Sequence, residues 1–392
     1  MGNTLEQIAL QLKNENKKVQ LIYAFNGSGK TRLSREFRLL VDPKNTNEDN
    51  EEDDVQSFSK IIYYNAFTED LFYWFNDLDN DQERELRTQP NGFTDWLVTF
   101  LEEQGLDQKI TNHFQRYTSD KLTPMITSDF SKITFSINNG SASPLLNIKI
   151  SKGEESNFIW SIFYSLLEQI IEERSIPNPT DRSTQDFNDL EYLFIDDPVS
   201  SLDDTHLIEL AVDIANLIKS NETNLKFIIT THNPLFYNVL SNEFNNKYYK
   251  NPGDETELLI YRPNQSKKFR LDKNADGLFV LNELDNNTPF SYHLFLLSEI
   301  KNAIDTNDIK KFHFAFLRNI LEKTATFLGY TSWTKLLPKD GSGNPDPFAN
   351  RILNLSNHSA HSGEEVGVVE DNDKDKLEEL VEFLSSEYKF WN

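Results

Sequence analysis

Leu193-Phe194-Ile195-Asp196-Asp197-Pro198-Val199-Ser200-Ser201-Leu202-Asp203 is the stretch from which the fold is read. Its apolar opening predicts a buried strand. The tip of that strand presents two adjacent carboxylates, followed by a Pro turn and a Ser-Ser-Leu-Asp loop. A carboxylate at such a tip can hold Mg²⁺ beside a phosphate, which assigns Asp196 to the metal. Asp197 can orient or deprotonate the attacking water. A plain buried strand ending in a polar turn explains one of these acids. It does not explain Asp196, Asp197 and Asp203 together.

Upstream, the apolar segment Val19–Ala24 runs into Phe25-Asn26-Gly27-Ser28-Gly29-Lys30-Thr31-Arg32 and a helical pattern through Leu40. Strand, Gly-rich loop, Lys-Thr and helix form the context of a P-loop. Gly27 and Gly29 let backbone N–H groups turn onto a phosphate, and the helix N-terminus adds its dipole. Lys30 neutralises β/γ-phosphate charge, and Thr31 offers a hydroxyl to Mg²⁺ alongside Asp196. Asn26, Ser28 and Arg32 complete the expected nucleotide contacts. Ala24 stands where the usual pattern has its first Gly.

Ile150-Ser151-Lys152-Gly153-Glu154-Glu155-Ser156 opens a long apolar helical pattern. Ser151 with Glu154 reads as a capping box. Alternatively, Ser151, Lys152, Gly153 and Glu154 face a second γ-phosphate. Farther on, the apolar run 227–231 ends in His232, a strand-tip His able to bond a γ-phosphate or the attacking water. Taken in this order, the parts resemble the ATP-binding-cassette ATPases, whose signature loop reads Leu-Ser-Gly-Gly-Gln. That resemblance implies a mixed sheet with flanking helices, Asp203 near the nucleotide, and His232 as the switch His. It also implies a head-to-tail homodimer or higher oligomer with two sandwiched nucleotides. Asp197 departs from the family, which usually has Glu there.

The bulk numbers fit such a chain. Its 392 residues allow one large and one smaller domain, and 38% apolar residues supply a core. There is no Cys, so neither disulfides nor thiolate metal sites arise. No signal segment or long apolar span is read, so the expectation is a cytoplasmic protein without a membrane partner. A net charge of −24 speaks against a general nucleic-acid coat. Residues 91–118 read as helical, and 133–137 and 146–150 as antiparallel strands. Residues 257–261 and 269–271 read as short strands around the basic Lys267, Lys268 and Arg270. Beyond 290 the pattern is helical. The expected class is α/β: a P-loop domain over residues 1–265, then a mainly helical domain over 266–392.

In the helical part, Arg318 and Glu322 are i, i+4 and share one face. Alone they read as a surface ion pair. Farther along, Arg351 to His361 holds His358-Ser359 and a second His three residues on. Arg, Glu and His are the groups a metal-free ribonuclease needs: a base, an acid, and a cation for the phosphorane.

The whole chain resembles the PrrC family of anticodon nucleases. The likeness rests on residues 22–27, on Tyr64-Asn65-Ala66-Phe67-Thr68-Glu69-Asp70-Leu71-Phe72-Tyr73-Trp74, and on Lys-Gly-Glu-Glu-Ser at 152–156. It rests also on Asp-Asp-Pro-Val-Ser-Ser-Leu-Asp-Asp at 196–204, on Arg318-Asn319 with Glu322-Lys323-Thr324, and on His358-Ser359. The resemblance implies a catalytic triad of Arg318, Glu322 and His358, with His361 as the rival, and an anticodon-reading Asp285. It implies cleavage of tRNA-Lys at the wobble position, leaving a 2′,3′-cyclic phosphate and a 5′-OH. It further implies silencing by a type I restriction–modification complex and release by a phage-encoded peptide. ATP or GTP hydrolysis would drive activation, and dTTP would stabilise the active form. A DNA-clamping or DNA-remodelling ATPase and a nucleotide-sensing regulatory module are the competing readings. Coiled-coil heptads would favour the first of these, and none is found.

Overall fold

The computed structural model describes residues 2–43, 60–65, 71–76, 84–140, 143–198, 204–254, 256–274, 276–284, 292–347, 349 and 369–389. The chain divides into two compact units, Met1–Pro289 and Phe290–Asn392. In the first unit α1 (Leu5–Asn14) precedes β1 (Val19–Ala24), α2 (Lys30–Val41), β2 (Ile61–Asn65), β3 (Phe72–Asn76) and β4 (Arg84–Thr88). Next come α3 (Gly92–Glu103), α4 (Asp107–Tyr117), β5 (Leu122–Ile126), β6 (Lys132–Ile137), α5 (Lys152–Ser175) and β7 (Tyr192–Asp196). Then follow α6 (Asp204–Ser220), β8 (Lys226–Thr231), α7 (Pro234–Phe244), β9 (Tyr248–Lys250), β10 (Leu258–Tyr261), β11 (Ser266–Lys273) and β12 (Phe279–Glu283).

The main sheet has the order β12-β11-β1-β8-β7-β2. Every pairing in it is parallel except β11 with β12. Helices cover such a sheet on both faces, so its strands are apolar without alternation. All six residues of β1 and all five of β7 are accordingly buried. The fold is α/β with a P-loop placed at the C-terminal end of β1.

The expected domain break at 265/266 is corrected by this sheet. Residues 266–273 are β11, which pairs with β1 from Val19↔Ser266 to Ala24↔Leu271. β12 pairs with β11 in turn. Both strands are integral to the sheet that carries the P-loop, and the compact units divide only after Pro289. The basic residues of β11 are also not one patch. Lys268 is buried with its Nζ on Asn245, while Lys267 pairs with Glu15 and, at 3.1 Å, with Glu283. Alternation along a strand sends neighbours to opposite faces.

The second sheet, β3-β4-β6-β5, is antiparallel. The expected strand at 146–150 does not form. A bridge joins Ile137 to Leu145 and the Ile148 N–H donates to the Phe135 carbonyl at 3.0 Å, but Asn147, between Leu145 and Ile148 and at φ 52°, turns the backbone out of the extended region. The stretch 91–118 is two helices, parted where Gly105 takes φ 62°. α5 is buried along most of its length, as a helix apolar all round must be. Its Phe163 stacks on Tyr64 of β2 at 4.1 Å, and its Phe158 meets Phe135 of β6 at 5.3 Å. One helix thus joins the two sheets.

The second unit contains α8 (Tyr292–Asp305), α9 (Lys311–Phe327) and α10 (Asp371–Glu387) among its described residues. Leu296, Leu297 and Ile300 of α8 share a core with Leu317, Ile320 and Leu321 of α9 and Leu377, Leu380 and Leu384 of α10. Their spacings, i, i+1, i+4 in α8, i, i+3, i+4 in α9 and i, i+3, i+7 in α10, give each helix one apolar stripe. No helix among the described residues is long and apolar enough to cross a membrane.

Phe37 of α2 is fully buried against Tyr192 at 5.1 Å and Phe194 at 5.9 Å. Removing that ring leaves a cavity between helix and sheet. Phe37→Ala is expected to cost about 3–5 kcal/mol, read as a lower urea midpoint. A change below about 1 kcal/mol would mean that the helix does not depend on this contact.

Candidate functional site

β1 and α2 present the P-loop between them. Gly27 has φ 77° and Gly29 has φ 92°, conformations that L side chains rarely adopt. Gly29 is also tight: a Cβ there would lie 3.1 Å from the Phe279 ring, which would have to give by a few tenths of an ångström, whereas at Gly27 it would meet nothing. Gly29 caps α2 without a side-chain hydrogen bond, so the first N–H groups of the helix remain for a ligand. Lys30 folds back over the loop. Its Nζ donates to the carbonyl oxygens of Ala24 at 3.2 Å and Phe25 at 3.4 Å, and to Asn26 Oδ1 at 3.3 Å. It also lies 3.6 Å from Asp197 Oδ2.

β7 brings in the acids. Asp196 is almost wholly buried, and its carboxylate accepts three hydroxyls: Thr31 at 3.0 Å, Tyr63 at 3.1 Å, and Thr230. Burial pushes this carboxyl above its ordinary value, although the hydroxyl bonds and their donors pull the other way. Asp196 Oδ2 and the Thr31 hydroxyl form an all-oxygen donor pair at a helix N-terminus. That chemistry fits Mg²⁺ beside a phosphate.

Asp197 has φ 51°, so the chain turns sharply as it leaves the strand. Its N–H donates to the Thr230 carbonyl at 2.9 Å. Its carboxylate accepts from the backbone N–H of His232 and from Thr231 Oγ1, each at 3.3 Å, and it pairs with His232 Nδ1. Burial alone would raise this carboxyl. The hydrogen bond and charge of His232, together with the charge of Lys30, outweigh burial and leave it below its ordinary value. Lys30, Thr31, Asp196, Asp197 and His232 therefore meet in one cluster.

Tyr63, Thr230 and Thr231 were not among the expected residues. Their roles come from strand register: Asp196 lies opposite Thr230 on β8 and opposite Asn65 on β2. Of the other expected contacts, Asn26 is exposed and accepts from Lys30, Ser28 donates to the Phe25 carbonyl at 2.6 Å, and Arg32 is exposed. Asp203 lies outside the described residues.

At the start of α5, Ser151 and Glu154 form the capping box. The N–H of Glu154 donates to Ser151 Oγ at 3.2 Å, and that of Ser151 donates to Glu154 Oε2 at 2.7 Å. Ser151 and Lys152 are exposed. Lys152 pairs with Glu155 at 3.0 Å, and Trp74 Nε1 donates to the same Glu155 oxygen at 2.9 Å.

In the second unit, Arg318 Nε donates to Glu322 Oε1 at 2.8 Å along the exposed side of α9. The guanidinium also lies over the Trp333 ring at 5.5 Å. His293, at the start of α8, takes a hydrogen bond with Asn319, the neighbour of Arg318. Burial pulls this imidazole below its ordinary value, and the charge of Lys323 adds to that pull. His358, His361, Arg351 and Asp285 lie outside the described residues.

With this geometry in view, three comparisons bear on the chain. Residues 147–386 match the family model described as an AAA domain. A curated protein of Escherichia coli named "Anticodon nuclease" is 47% identical over 412 residues, spanning 100% of this chain and 98% of its own. Among solved structures, an Smc head bound to the C-winged helix domain of ScpA aligns at 11% identity and TM-score 0.33, covering 68% of this chain and 90% of that one. An SMC head domain from Thermotoga maritima aligns at 13% identity and TM-score 0.28, with the same coverages of 68% and 90%.

The two P-loop glycines separate backbone strain from crowding. Gly27→Ala pays only for a left-handed L residue, about 1–2 kcal/mol. Gly29→Ala adds the clash with Phe279. Calorimetry without nucleotide should show a larger fall in melting temperature for Gly29→Ala. Equal falls would show that the Phe279 ring yields freely.

Proposed function

The chain belongs to the anticodon nuclease family, and from that premise we propose that it is a tRNA endoribonuclease gated by a nucleoside triphosphate. The observation that carries this reading is 47% identity across the whole chain, nucleotide cluster and α9 included. The nucleotide, ATP or GTP, sits with its β- and γ-phosphates on the N–H groups of residues 27–31. Lys30 leaves its loop carbonyls and neutralises phosphate charge. Thr31 and Asp196 would hold Mg²⁺, which when bound would offset phosphate charge. Asp197 orients the attacking water, and His232 holds Asp197 in place. Asp197 is one methylene shorter than the usual Glu, so hydrolysis is expected to be slow. This suits a switch better than a motor.

Ser151, Lys152, Gly153 and Glu154 open α5, and the positive end of a helix favours an anion. The exposure of Ser151 and Lys152 supports a role toward the γ-phosphate of a second copy, in a head-to-tail dimer.

RNA brings its own nucleophile. A base takes the proton of the ribose 2′-OH, O2′ forms a bond to the adjacent phosphorus, and the P–O5′ bond breaks. An acid returns a proton to O5′. The products are a 2′,3′-cyclic phosphate and a 5′-OH, and no metal is needed. Glu322 and His358 supply base and acid, while Arg318 stabilises the phosphorane charge. The pairing of Arg318 with Glu322 and its place over Trp333 support this reading, because they hold the guanidinium on the exposed side of α9. The finer proposals are tRNA-Lys as substrate, Asp285 as anticodon reader, dTTP as stabilising ligand, a type I restriction–modification complex as silencer, and a phage peptide as the releasing signal. The setting is defence against phage in the cytoplasm.

The two halves are separable by substitution. Lys30→Ala is expected to abolish nucleotide binding, whereas Asp197→Ala binds nucleotide but does not hydrolyse it. Filter binding and phosphate release read the two steps, and hydrolysis at the parent rate by Asp197→Ala would refute its role. In the nuclease half, Glu322→Ala and His358→Ala should each lose about 10²–10⁴ in cleavage of labelled tRNA-Lys while NTP hydrolysis is unchanged. Once activated, the parent protein should still cut in EDTA. A 3′-hydroxyl product, or full activity in His358→Ala with loss in His361→Ala, would overturn the assignment.

A further inference from the structure

A cavity of about 590 Å³ lies at the N-terminal ends of β1, β8 and β11, the opposite end of these strands from the P-loop. Its walls include Lys17 and Lys18 before β1, Asn221 and Glu222 after α6, Lys226 at the start of β8, and Gln265 before β11. The six residues of β1 separate it from the P-loop, about 20 Å at ~3.3 Å per residue. Its volume is that of a small-molecule site.

The chemistry of the walls is unusual for this chain. Acids outnumber bases 63 to 39, yet the hydrogen bonds and the ring contact of the three ammonium groups here are with neutral groups. Lys17 Nζ donates to the Asn264 carbonyl at 2.8 Å, and Lys18 Nζ donates to the Asn221 carbonyl. Lys226 Nζ lies over the Tyr192 ring at 5.4 Å. The nearby Glu222 is engaged by Lys250 at 2.6 Å. Burial pulls Lys18 down to about 8, with only the charge of Glu222 opposing it. Three ammonium groups line this cavity against one carboxylate, that of Glu222, which Lys250 already engages; an anion offsets the remaining positive charge.

We propose that this cavity is a second anion site that takes a small phosphate-bearing molecule, held by Lys17, Lys18 and Lys226. Lysine serves phosphate as a point charge with several donors. A cavity of this volume suits a small molecule, whereas an RNA backbone needs a track of cations. The proposal is independent of the nuclease reading, because it concerns binding alone.

The test uses the full-length protein carrying Lys30→Ala, which disables the P-loop lysine. Pyrophosphate and a pentauridylate are titrated calorimetrically without Mg²⁺. Pyrophosphate should bind at one site. Lys17→Gln and Lys226→Gln should each weaken it about tenfold, the loss of one charge-assisted bond. Lys60→Gln, a surface control, should leave it unchanged. Lys18→Gln should weaken it too, but Lys18 also braces the Asn221 loop, so the partly exposed Lys17 and Lys226 carry the test. Absence of pyrophosphate binding, binding unmoved by Lys17→Gln and Lys226→Gln, or tighter binding of pentauridylate would each overturn the proposal.

Discussion

A buried carboxylate with three hydroxyl donors holds the nucleotide half together. Asp196 takes Thr31 from α2, Tyr63 from β2 and Thr230 from β8. An isolated buried charge is too costly to persist, so these hydroxyls are a condition for the acid to sit there. They also tie the P-loop helix to both strands that flank β7. The strand order adds a further consequence. β8 lies between β1 and β7, so the segment leaving β8 emerges between the P-loop and the acids. His232 is the first residue of that segment and is joined at once to Asp197.

The second organising element is α5. Its first turn carries the candidate signature, while its body is locked between two sheets through Phe163 on Tyr64 and Phe158 on Phe135. A capping box fixes where the helix begins. Trp74 of β3 reaches Glu155 and so ties the antiparallel sheet to the same turn. A group placed on such an element moves only with both sheets, which suits a contact that must be presented to a second molecule.

In the second unit the arrangement is lighter. Among the described residues three helices share one apolar core, and the exposed side of α9 bears Arg318 and Glu322. An exposed i, i+4 pair contributes little stability, generally under 1 kcal/mol. Its value lies in orientation: Glu322 and the Trp333 ring hold the guanidinium on the solvent side. His293 reaches the same stretch of helix through Asn319.

Local chemistry made much of this legible along the chain. Gly27, Gly29, Lys30 and Thr31 between a strand and a helix, and two acids at the end of an apolar run, are patterns whose meaning depends only on neighbours in sequence. The capping of α5 by Ser151 and Glu154 and the i, i+4 pair on α9 are equally local. Contacts set by register and strand order were not legible. Tyr63 and Thr230 are unremarkable strand residues until β2 and β8 are laid on either side of β7. The same holds for β11 and β12: short strands beside polar residues read as a new domain until β11 pairs with β1. Residues 146–150 look like a strand, yet the turn at Asn147 forbids it. Periodicity specifies which face of an element is apolar, and it carries no term for which element that face will meet. That choice belongs to packing over the whole sheet, and it also brought Lys17, Lys18 and Lys226 to one cavity from places far apart in the chain.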